Sequence, residues 1–116
     1  MMKFIRLVVL AAVAAGLSSC VLNEDSFNKG RAVARTRPDL RAEYLNDCAR
    51  RVKYSDIEAK RYMAGFMHTS LDGLPGKVCS RLLRGYMSGR LQYQDVMLVM
   101  RRQKFTPNMV AILRAG

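Results

Sequence analysis

The sequence predicts an all-α domain: a small bundle of four or five short helices, stapled by a disulfide and carried on a flexible N-terminal tether. Three observations predict it. Apolar residues recur at helical spacing in successive segments between positions 38 and 116, and no segment finds a partner strand. Helix-start signals and breakers punctuate those segments. Two cysteines, Cys48 and Cys79, fall on the apolar faces of two different segments.

The chain opens on Met1-Met2-Lys3-Phe4-Ile5-Arg6, a basic start, and continues with an apolar run of eleven residues from Leu7 to Leu17. As a helix that run covers roughly 17 Å, too short for a hydrocarbon core about 30 Å thick. Charge, a short apolar centre and small residues before a break are the marks of a secretory signal, which is removed and takes no part in the fold. The order of features ending in Leu17-Ser18-Ser19-Cys20 resembles the signal and lipobox of bacterial lipoproteins. The resemblance implies cleavage after residue 19 and a diacylglycerol thioether on Cys20, which becomes the first mature residue. Two or more acyl chains give stable anchoring where one is marginal. Val21 follows the cysteine in place of the aspartate that retains enteric lipoproteins at the inner membrane, so the periplasmic face of the outer membrane is the expected location.

Residues 20–37 read as the tether, with Arg31-Ala32-Val33-Ala34-Arg35 open to a second reading as a backward extension of the first helix. Asn, Asp, Ser, Lys and Gly dominate, and Val21, Leu22 and Phe27 are the only large apolar residues before Val33. A flexible chain of that length reaches roughly 20–25 Å on average. Its far end carries Arg31, Arg35, Arg37 and Arg41, which would gain on the order of 1 kcal/mol per charge beside anionic headgroups.

The helical domain spans 38–116. Pro38 suits a first turn and Asp39 suits its dipole, so a first helix runs from Pro38 to Val52, with Leu40, Tyr44, Leu45, Cys48 and Val52 on one face. Ser55-Asp56-Ile57-Glu58 matches a capping box for a second, to Thr69. Ser70 to Gly76 is a loop rich in breakers. A third helix, from Gly76 to Ser88, turns Val78, Cys79, Leu82, Leu83, Tyr86 and Met87 inward and ends at Gly89. A fourth runs from Tyr93 to Gln103; its centre, Val96 to Met100, is apolar all round and would also suit a buried strand. Thr106-Pro107 starts a short last helix to Arg114.

Charge and cysteines bound the function. Removing Lys3 and Arg6 from the 20 basic residues leaves 18 against 9 acidic ones, a formal +9 for the mature chain. For an exported protein the polyanions within reach are lipid headgroups, lipopolysaccharide phosphates and wall carboxylates, not nucleic acid. With Cys20 taken by lipid, Cys48 and Cys79 form an even pair, which reads as a disulfide in an oxidising compartment. A free buried pair and a redox site are the alternatives, the latter without the usual Cys-x-x-Cys spacing.

No motif names a reaction. His68 is the only histidine, and Ser70 and Asp72 beside it lie in a breaker-rich loop. Met63-x-x-x-Met67-His68 and Met97-x-x-Met100 place soft donors one turn apart, a pattern compatible with Cu(I) but also with methionine as core filler. No cofactor or metal is expected. The reading is a non-enzymatic envelope lipoprotein that presents a basic helical face, with Arg81, Arg84, Arg101, Arg102 and Lys104 as contacts for an envelope protein or an anionic wall polymer. The alternatives are a periplasmic inhibitor or binding module for a secreted hydrolase, and a methionine-based copper-handling protein.

Overall fold

A computed structural model describes residues 23–102 and 104–115, so Cys20 and the signal-like segment lie outside the described residues. The described chain forms six helices and no strand: α1 (Glu24–Thr36), α2 (Pro38–Lys53), α3 (Ile57–Met67), α4 (Leu74–Met87), α5 (Tyr93–Arg102) and α6 (Pro107–Arg114).

The first of these corrects the tether. Residues 24–36 are helical and packed, with Phe27, Gly30 and Ala34 buried. Asn23 caps the helix: its Oδ1 accepts the Ser26 amide at 2.7 Å. Glu24 and Asp25 suit the first turn, and Lys29 pairs with Asp25 one turn on. The segment reads as a polar linker because its buried stripe consists of one aromatic and two small residues. Phe27 supplies the grip. Its ring meets those of Tyr86 and Tyr93 at centroid distances of 4.9 and 6.0 Å, and its carbonyl accepts the Tyr86 hydroxyl at 2.7 Å. Arg37, disfavoured in the α region because Pro38 follows, leaves the helical path at φ −120°, ψ 89° and separates α1 from α2.

The remaining boundaries hold to within a few residues, with local corrections. Asp56, not Ser55, caps α3, accepting the Ala59 amide at 3.2 Å. The Ser55 hydroxyl instead donates to the Arg51 carbonyl behind it. The helix stops at Met67 because His68 adopts the left-handed conformation, φ 54°, while the Thr69 amide reaches back to Ala64 O at 3.0 Å. α4 starts at Leu74, two residues early, with Pro75 in its first turn. The apolar run at 96–100 is helix: Val96 and Val99 are buried while Leu98 faces outward. Thr106 caps α6 as its sequence implies, its hydroxyl accepting the Met109 amide at 3.0 Å.

α4 is the element the others pack around. It contacts α1, α2, α3 and α6, and Leu74, Val78, Cys79, Leu82, Leu83, Gly85 and Tyr86 on it are buried. The disulfide joins Cys48 of α2 to Cys79 at a Cα separation of 5.9 Å, and the Tyr44 hydroxyl donates to Cys79 O beside it. On the other side Gly85 lets α6 approach; a Cβ there would stand 2.7 Å from Ile112 Cγ2.

Two predictions follow from these ties. Replacing both Cys48 and Cys79 by alanine frees a loop spanning 31 positions; the chain-entropy argument gives a loss of about 3–4 kcal/mol in urea unfolding. Burial raises the hydroxyl pKa of Tyr44 above its ordinary value and pushes that of Tyr86 up to about 12. The unfolded chain therefore releases these protons from about pH 10 while the folded chain keeps them. Stability should be flat between pH 8 and 9 and fall above pH 10, by about 1 kcal/mol per tyrosine at pH 11. Tyr86→Phe should flatten that decline, measured by urea unfolding at steps between pH 8 and 11.

Candidate functional site

The helices are short, and each leaves terminal carbonyls without an intrahelical partner. Basic side chains from elsewhere in the fold close five of the six C-terminal ends. Arg41 Nη1 donates to Ala34 O and Arg35 O at the end of α1, at 2.8 and 3.1 Å. Lys60 Nζ donates to Lys53 O at the end of α2, at 2.8 Å. Arg114 Nε donates to Phe66 O at the end of α3, at 3.0 Å. Arg31 and Arg35 donate through Nε to Tyr86 O and Met87 O at the end of α4, at 2.7 and 2.6 Å. Arg81 Nη1 donates to Leu113 O at the end of α6, at 2.6 Å. Each cation also sits where the helix dipole favours it.

This arrangement sorts the basic residues. Arg31, Arg35 and Arg41, read from sequence as the headgroup-facing end of a tether, are structural. Arg31 does most: its Nη2 also donates to Leu91 O at 3.0 Å, and its guanidinium lies 5.3 and 5.4 Å from the ring centroids of Phe27 and Tyr86. Arg81 is committed through one donor. Arg84, Arg90, Arg101, Arg102 and Lys104 are exposed.

A concavity of about 260 Å³ opens between the C-terminal halves of α4 and α6. Arg81, Arg84 and Arg90 line it with Ser88 and Ala115, over the Gly85–Ile112 contact. Among the described residues no carboxylate lines it. The structure thus brings Arg81 and Arg84 together and leaves Arg101, Arg102 and Lys104 outside the cleft. Arg90 joins them because Gly89, at φ 83°, reverses the chain after α4. Charge clustering within one helix misses it; the signal was a helix-ending glycine followed at once by an arginine.

The other candidates are placed elsewhere. His68 is exposed on its left-handed backbone, and Ser70 Oγ accepts the Gly73 amide at 3.1 Å in the turn leading to α4. Met63 and Met67 are buried in the core and Met97 and Met100 pack against it, so the methionines fill space between helices. Tyr54 and Tyr62 are exposed, whereas Tyr44 and Tyr86 are buried. Asp95 is buried without a basic partner among the described residues. Its carboxylate accepts the Gln92 amide at 2.9 Å, the Thr106 hydroxyl at 2.6 Å and the Asn108 side-chain amide at 2.6 Å. It ties the start of α5 to the start of α6.

The contrast between the two kinds of arginine is measurable. Arg31→Ala should cost about 2–3 kcal/mol in urea unfolding, from lost charged hydrogen bonds and ring contacts. Arg84→Ala should change stability by less than about 0.5 kcal/mol. No known protein family, curated protein or solved structure matches this chain.

Proposed function

We propose that this chain is a non-enzymatic cell-envelope lipoprotein, held at a membrane through lipidated Cys20, whose basic helical domain acts as an interaction module. The observation that carries the reading is the ordered start of the chain: basic residues, a short apolar run and Leu17-Ser18-Ser19-Cys20. The Cys48–Cys79 disulfide supports it independently, because such bonds persist in oxidising compartments and are rare in the cytosol.

The fold shortens the spacer that the sequence suggests. α1 and its Asn23 cap begin three residues after Cys20, and three trans peptide steps span at most about 11 Å. Such a domain sits against the lipid surface. Anionic headgroups and membrane-bound proteins are then its nearest partners, and a distant wall polymer is the poorer fit. Outer-membrane residence at the periplasmic face belongs to the same proposal through Val21.

The test is metabolic labelling of cells with a palmitate analogue. The wild-type protein should carry the label and partition with membranes. Cys20→Ser should be unlabelled and either remain unprocessed or appear in the soluble fraction. A wild-type protein that takes up no label overturns the assignment.

A further inference from the structure

The cleft between α4 and α6 holds positive charge that the fold does not use. Arg84 and Arg90 are exposed, and neither side chain has an ion pair with any described residue. Arg81 is different. Its bond to Leu113 O occupies one of the five N–H donors of a guanidinium and fixes the group at the cleft wall. The cleft therefore has one pre-positioned cation and two exposed ones.

Cations near helix ends have an ordinary use, so the charge balance decides. Two helix C-termini, those of α4 and α6, meet at this cleft through Ser88 and Ala115. Each contributes the equivalent of roughly −0.5 charge, which leaves three guanidinium groups with a surplus of roughly +2. Among the described residues no acidic side chain lines the space to offset it.

Size and donor geometry narrow the ligand. A volume of about 260 Å³ compares with about 30 Å³ for a water molecule in the liquid. It accommodates a small polyatomic anion with some hydration. A single guanidinium fork satisfies both oxygens of a carboxylate. Three forks suit a group with three or four acceptor oxygens, and arginine matches phosphate in this way.

We propose that this cleft binds a phosphate group, as a monoester or diester, through Arg81, Arg84 and Arg90. The proposal takes its setting from the lipoprotein reading, in which phosphate-bearing headgroups lie within reach. The turn that carries Arg90 is also the turn that α1 grips, through the Arg31 bond to Leu91 O. The start of the domain and the cleft thus share one structural support.

The experiment uses the full chain, labelled with nitrogen-15, in maltoside micelles. Amide spectra are followed as inorganic phosphate is added, with sodium chloride at matched ionic strength as control. Saturable shifts should cluster at Gly85, Ser88 and Arg90. The Arg84→Gln/Arg90→Gln double variant should weaken them at least tenfold with its melting temperature unchanged. Shifts that chloride reproduces, that scatter over all basic faces, or that survive in the double variant overturn the proposal.

A second arm identifies the source by comparing vesicles of phosphatidylglycerol with vesicles of phosphatidylcholine. Selective broadening of the same amides on phosphatidylglycerol supports a lipid headgroup. Broadening on neither vesicle, with saturation by free phosphate, supports a soluble phosphoester, and equal broadening on both supports the phosphodiester that the two headgroups share. The titration needs no acyl chain, so a failure of labelling at Cys20 and a failure of phosphate binding are separate results.

Discussion

Six helices of 8 to 16 residues expose a large share of their backbone at helix ends, and closing those ends is the constraint that shapes this protein. An α-helix leaves its last carbonyls unpaired whatever its length, so shorter helices carry proportionally more of them. Here a guanidinium or ammonium group reaches across from another helix to bond them. A charged hydrogen bond of this kind contributes about 1.5–3 kcal/mol where it is sheltered and less at exposed ends such as those served by Arg35 and Arg114. The same bonds set the mutual placement of helices. α1 is laid across the end of α4 by Arg31 and Arg35, and α6 is tied to α3 and α4 by Arg114 and Arg81.

That use of cations changes what the basic composition means. A formal excess of positive charge invites a search for an anionic partner, yet six of the basic residues are engaged inside the fold. What remains free is uneven. Arg84 and Arg90 share a cleft with the anchored Arg81, whereas Arg101, Arg102 and Lys104 stand at the end of α5. A surface that binds by net charge alone would not need the first arrangement. The concave grouping is the feature on which the proposed phosphate site rests.

The hub of the packing is α4, held from three directions by different means. A covalent bond and the Tyr44 hydroxyl tie it to α2, the Tyr86 hydroxyl and ring tie it to α1, and the glycine contact brings α6 against it. A small domain has limited capacity to bury a core, and here covalent and polar ties supplement apolar packing. The buried Asp95 plays a comparable part at the junction of α5 and α6, fixing two helix starts with one carboxylate.

Much of this was legible along the chain. Pro38, Ser55-Asp56, Gly89 and Thr106-Pro107 mark helix boundaries by local backbone chemistry, and Cys48 and Cys79 fall on inward faces by periodicity, so the all-α class and the expectation of a staple arise without coordinates, while the bond itself is seen only in the fold. Beyond a helical reading of residues 31–35, α1 was not legible, because its buried stripe of Phe27, Gly30 and Ala34 lacks the bulk that a hydropathy pattern registers, and the rings that hold Phe27 come from residues about 60 positions away. Nor could local sequence separate a cation that closes a helix end from one that faces solvent. The sequence by itself determined where helices can start and stop, because those signals act over three or four residues. Only the tertiary structure decided which arginines are spent and which stand together in a cleft, because hydrogen bonds such as those from Arg31 and Arg81 join groups 32 to 60 residues apart.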